Sequence, residues 1–253
     1  MPSPAPSTST VKSVAGLPHP RAHALRPGSA KEDQVRHFVV SRIEHISRRF
    51  VKKQGGTAPP GSGDVQGYKT MLELCKDLEG VINIIWLSGT PSLQVPFLLN
   101  IASEFNAWVT SFSASPIATF AILHKLDHCF ASLLSGEDIE THESLPGFEN
   151  GLRAGMSKTD MVRCRSLVEQ GRIVIVDVMS KGVDEEESVQ DEPSEDGEDE
   201  SGPEGPGRAG EGFMVDDDED LYMDVARVYE NTLVKLGDAL GDPGVGEVQM
   251  SAD

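Results

Sequence analysis

At 253 residues, with 6% aromatic side chains, 25 Gly and 16 Pro, the chain holds enough apolar material for one modest packed domain, with long stretches outside it. The formal charge of −19 is local, because residues 184–220 hold 18 of the 41 acidic side chains against the single Arg208; the rest is nearly neutral. Cys75, Cys129 and Cys164 are odd in number, far apart and set among apolar residues, which excludes a disulfide or zinc framework and points to an intracellular protein. No run approaches the roughly 18 apolar residues of a membrane span, so a soluble chain with no membrane partner is expected.

Residues 1–30 are rich in Pro, Ser, Thr and Ala and poor in large apolar groups, too poor to offset chain entropy, so they read as a disordered tail. From Lys31, the residues Val35, Val39, Ile43, Ile46 and Phe50 recur at spacings of four and three and place one face of a helix against a core. Arg36, Arg42, Arg48, Arg49, Lys52 and Lys53 lie on its other face. That strip is either a solvated face or a surface for phosphate, an acidic partner or the chain's own acidic segment. Aromatic interleaving for base stacking is missing from it, and direct sequence-specific nucleic-acid binding is not expected.

Residues 54–64 are a Gly/Pro/Ser linker. Beyond it Tyr68, Met71, Leu72, Cys75, Leu78, Ile82, Ile85 and Trp86 sustain helical spacing up to Gly89. Thr90-Pro91 starts the next helix with proline at its first position, where the missing N–H costs nothing; the tight connection predicts neighbouring helices. This third helix carries Leu93, Phe97, Ile101, Phe105, Trp108, Val109 and Phe112, with Pro96 expected to bend it. Ser115-Pro116 repeats the start, and the helix to Leu134 is apolar nearly all round, as befits the centre of a bundle.

After a loop at 135–156, Ser157 and Asp160 approximate a capping box. The β-branched run Arg172 to Ser180 has strand propensity but no partner strand, and it reads as a continuation of the helix from Ser157. Leu221, Val225, Val228, Tyr229, Leu233, Leu236 and Leu240 then form a final amphipathic helix. The fold class is all-α: a small helical bundle at 31–182, an acidic disordered low-complexity insertion at 183–220, a C-terminal helix at 221–240 packing on the bundle, and a tail at 241–253.

Candidate chemistry is sparse. His124 and His128 stand one helical turn apart with Asp127 and Cys129 alongside, but the adjacent glutamate and third ligand of a zinc hydrolase are missing. Gly151 to Thr159 has the wrong spacing for a phosphate-binding loop. The carboxylates after Gly182 have nothing to desolvate them or fix their separation. No catalytic residue, cofactor site or metal site is therefore assigned. Phe213, Met214 and Val215 beside the acidic run to Asp220 combine an apolar anchor with dense charge, which suits docking to a basic surface. Ser188, Ser194 and Ser201 precede acidic residues and are candidates for phosphorylation.

The stretch WLSGTPSLQVPFLLNIA from Trp86, followed by SFSASPIATFAILHKLDHCFASLL, resembles the hallmark region of a fungal family described as subunit 11 of the general transcription factor TFIIH. The motifs are Trp86-Leu87-Ser88, Thr90 to Gln94, Pro116 with Thr119-Phe120, and Lys125 to His128 followed by Phe130 to Leu134. The resemblance implies a non-enzymatic nuclear accessory protein that binds the XPB-type DNA translocase (helicase) subunit of TFIIH, associates with other TFIIH subunits, and helps the translocase leave the core complex in regulating transcription initiation. On that reading Trp86, Gln94, Lys125, Asp127, His128, Phe213, Met214 and Val215 are candidate partner contacts, with His124, Asp127 and His128 open to either packing or partner roles. The rival reading is an acidic chromatin chaperone or scaffold acting through residues 184–220.

Overall fold

The structure is a computed structural model that describes residues 15–56, 65–149, 151–189 and 223–241. Six helices carry it: α1 (Ala30–Lys53), α2 (Met71–Leu87), α3 (Pro91–Trp108), α4 (Pro116–Ser135), α5 (Lys158–Val189) and α6 (Glu230–Leu240). Most of the expected linker, most of the acidic segment with Phe213, Met214 and Val215, and the last tail lie outside the described residues.

Local chemistry accounts for the helix starts. Ser29 accepts a hydrogen bond from the Glu32 N–H at 3.3 Å, and the Glu32 carboxylate reaches back to the Gly28 N–H at 2.6 Å, a reciprocal arrangement that satisfies two donors. Thr70 does the same for Glu73. Ser157 and Asp160 form the expected box, with the Asp160 N–H donating to Ser157 Oγ at 3.2 Å and the Ser157 N–H to Asp160 Oδ2 at 3.1 Å. Pro91 and Pro116 occupy the first turns of α3 and α4, where no backbone bond is lost. At Gly89 the backbone turns left-handed, with φ of 52°, which lets α2 end and α3 begin within three residues.

α4 is the hub: it packs on α2, α3 and α6, while α1 lies outside against α2, and α5 against α3 and α6. Phe120, Ile122, Leu123, Leu126, Phe130 and Leu133 of α4 are all buried. By length and composition α4 could cross a membrane, contrary to the expectation that no run approaches a span, yet 83% of that apolar window is buried inside the bundle. α3 buries more than its expected face, since Val95, Leu98 and Leu99 are enclosed as well as Leu93, Ile101 and Phe105. Its position between α5 and the α2–α4 side explains this, because a helix with neighbours on two sides needs two apolar stripes. Pro96 sits inside α3 on an exposed position.

Arg172 to Ser180 is helical, and α5 runs on to Val189, into the start of the acidic stretch. Ile175, Val178 and Met179 are buried there, so β-branched residues are held helical by packing that outweighs their weak propensity. Two expectations are revised. Residues 15–29, read as part of a disordered tail, lie over the bundle as a strap with Leu17 and Leu25 buried. Each buried leucine stabilises by roughly 1.5–3 kcal/mol, and Pro18, Pro20 and Pro27 restrict the unfolded strap so that less entropy is lost on ordering it. The final helix is also not continuous: 223–227 is helical, then Val228 and Tyr229 interrupt it, with Tyr229 left-handed at φ of 57°. Both residues are buried, which turns the chain into the bundle before α6 begins.

Candidate partner-binding site

The polar residues of the HKLDH string lie where α4 meets the strap, the 136–149 loop and α6. Asp127 is 5% exposed and faces the first turn of α6. Its Oδ1 accepts from the Thr232 N–H at 2.8 Å and the Thr232 hydroxyl at 2.6 Å, while Oδ2 accepts from Asn231 Nδ2 at 2.9 Å. α6 has no side-chain cap of its own, because Tyr229 stands at the capping position. Asp127 supplies that cap from another helix and puts its charge at the positive end of the α6 dipole.

His128 is 3% exposed. Its Nε2 lies 3.0 Å from Asp138 Oδ2, its Nδ1 is 3.3 Å from Glu140 Oε1, and its ring meets the edge of Trp86 at 5.5 Å and 84°. Burial by itself would raise the Asp138 carboxyl, but the Thr141 and Glu140 backbone N–H groups and His128 together hold it below the usual carboxylate range. The same carboxylate thereby shapes the 138–141 turn.

Lys125, 3% exposed, donates to the Gly16 carbonyl at 2.6 Å and to Asn83 Oδ1 at 3.3 Å, with Glu79 Oε1 at 3.4 Å. Three acceptors offset the cost of burying its ammonium. Gln94, 2% exposed, donates from Nε2 to the Trp86 carbonyl at 3.1 Å, a second bond to an acceptor at the α2 C-terminus that also takes the Gly89 N–H. Trp86 is 1% exposed. The five described candidates are therefore all buried, and Gln94, Lys125, Asp127 and His128 each hold polar contacts within the chain.

His124 is exposed while His128 is enclosed, and among the described residues no group of three His, Cys, Asp or Glu is placed to hold a metal ion. Three residues of the basic strip of α1, Arg42, Arg49 and Lys53, are turned inward as a clasp. Arg49 pairs with Asp77 at 2.7 Å and Glu73 at 3.1 Å and lies 3.9 Å over the Tyr68 ring, while Arg42 reaches Asp77 at 3.4 Å. Lys53 lies over Phe112 at 4.5 Å.

Sequence reasoning did not identify Gly16, Asn83, Asp138, Glu140, Asn231 or Thr232 as the partners of these residues. For Asp138 a local signal exists, since Asp followed three residues later by Thr141 is turn chemistry. For Thr232 the only hint is an uncapped first turn.

The fold and this interior define a small all-α bundle whose buried polar residues join its own elements. The chain belongs to the family described as Subunit 11 of the general transcription factor TFIIH, whose model matches residues 67–237. It is also similar to an uncharacterized protein of Schizosaccharomyces pombe, 28% identical over 152 residues that cover 58% of this chain and 80% of the relative. No solved structure matches the chain. Membership makes it a TFIIH-associated subunit and implies a nuclear protein.

Proposed function

We propose that the chain binds the XPB-type translocase subunit of TFIIH and promotes its dissociation from the core complex, without an enzymatic step of its own. The observation that carries this reading is the extent of the family match, which runs from Gly67 through α2 to α5 and on to Gly237 in α6, and so takes in the helix docked on Asp127. The shared unit is thus the packed core of α2 to α6, which can present a surface to a protein partner. Phe213, Met214 and Val215, beside the acidic run, are proposed as a second contact to a basic surface on that partner.

Dissociation needs only differential affinity. The chain must bind the released translocase more tightly than the assembled one, and a shift from 1:99 to 99:1 requires about a 10⁴-fold preference. The test is to titrate the full chain onto TFIIH immobilised through a core subunit and measure translocase in the eluate. Saturable release is the expected result. Binding to the core with the translocase retained would overturn it. Replacing residues 190–220 by a neutral chain of equal length separates this reading from an acidic chaperone, since only the chaperone loses all binding.

A further inference from the structure

We infer that the groove beneath residues 15–22 is a binding site for an extended protein segment with a leucine at its centre, and that this chain's own strap is a removable occupant. The inference does not rest on which TFIIH subunit is bound. The groove is walled by Trp86 at the end of α2, by Lys125 and His128 of α4, and by the 137–146 loop.

The strap shows what the groove recognises. In order along the chain, the Ala15 N–H donates to Glu140 Oε1 at 3.2 Å, the Gly16 carbonyl accepts from Lys125 Nζ at 2.6 Å, Leu17 is buried to 2% exposure, and the Arg21 N–H donates to the Leu87 carbonyl at 3.3 Å. Three of these four contacts involve main-chain atoms. Any extended segment that places a leucine one residue after the carbonyl at Lys125 can repeat them, which is how extended peptides are commonly read.

The groove is also wider than its occupant. A cleft of about 330 Å³ adjoins residues 17–22 of the strap, against Trp86, Leu145 and Pro146, and one of about 500 Å³ adjoins Ala15 and Gly16, against Lys125, Asp127 and His128. Leu17 is the one large apolar side chain of residues 15–22, so a segment carrying more apolar surface would compete for the place. When Gly16 leaves, Lys125 keeps Asn83 and Glu79, and the floor of the groove stays satisfied. The walls lie inside the residues matched by the family model and the strap lies outside them.

The test uses the full chain and a fluorescent peptide with the sequence of residues 14–26. Leu17→Asp, and as a milder change Leu17→Ser, should unseat the strap while leaving helical circular dichroism and cooperative unfolding intact. The peptide should then bind each variant at least tenfold more tightly than the wild type, and a peptide with aspartate in place of its own leucine should not bind. In the wild type, amides at 21–25 should exchange faster than those of α4. Equal binding to wild type and variants, equal binding of a scrambled peptide, no binding to folded variants, failure of both variants to fold, or strap amides as protected as those of α4 would each overturn the inference.

Discussion

Asp127 and Thr232 are 105 residues apart in sequence, yet a single carboxylate oxygen of Asp127 accepts both the backbone N–H and the hydroxyl of Thr232, at 2.8 and 2.6 Å. A buried anion on one helix thus caps another that begins without a cap. The Asp127→Ala variant should lose roughly 2–4 kcal/mol of stability, because charge-assisted bonds vanish and a buried N–H is left unpaired. Asp127→Asn, which keeps an acceptor, should lose less. Denaturant unfolding with hydrogen exchange across 230–240 checks this, and an alanine variant with full stability and a protected α6 would refute it.

Gly171 of α5 faces Asn106 of α3 and Tyr229, the residue before α6. A methyl group there would stand 2.9 Å from Asn106 Oδ1 and 3.3 Å from the Tyr229 ring. Asn106 is tied to the Leu167 carbonyl at 2.9 Å and cannot withdraw without breaking that bond. Despite alanine's better helix propensity, Gly171→Ala should destabilise by about 1–3 kcal/mol, as overpacking does. A melting temperature equal to or above the wild type would show that the site relaxes freely.

Asp138 gives the fold an acid-sensitive element. Its folded carboxyl is held below the usual 3.8. A depressed carboxyl contributes stability that is present above its unfolded value and is lost as the pH falls through the folded one. The wild-type advantage over Asp138→Asn should therefore be constant near neutrality and shrink below about pH 4. A difference independent of pH would assign the role of Asp138 to shape alone.

The three thiols should be silent in the folded protein. Burial pushes Cys75 and Cys164 up to about 12, and Cys129 is raised as well. Since the thiolate is the nucleophile, a chromogenic disulfide at pH 8 should report no reaction on the timescale of minutes and three equivalents after denaturation. Prompt labelling of one cysteine would reveal local opening around it.

Much of the architecture was legible along the chain. Apolar spacing marked α1 to α4, Gly89 and Pro91 marked the tight turn between α2 and α3, and Ser157 with Asp160 marked the start of α5. These signals are local, and each acts within one or two helical turns. The strap was harder to see because two leucines among prolines are a weak compositional signal, and their burial depends on a groove assembled from residues 60 to 130 positions away. The break at Val228 and Tyr229 hid inside a continuous apolar pattern, since the residues that interrupt the helix are themselves buried.

An all-α chain, its helix starts and the family to which its central motifs point were all legible from residue order alone, because capping, proline placement and periodic burial are written in adjacent residues. What Lys125, Asp127 and His128 do emerges only once the helices are packed. Whether a charged side chain on an apolar helix faces solvent, a partner or a buried counterpart depends on groups supplied by distant segments: Gly16 and Asn83 for Lys125, Asn231 and Thr232 for Asp127, Asp138 and Glu140 for His128. Desolvation makes such pairings obligatory once the fold closes, while no local pattern announces them beforehand.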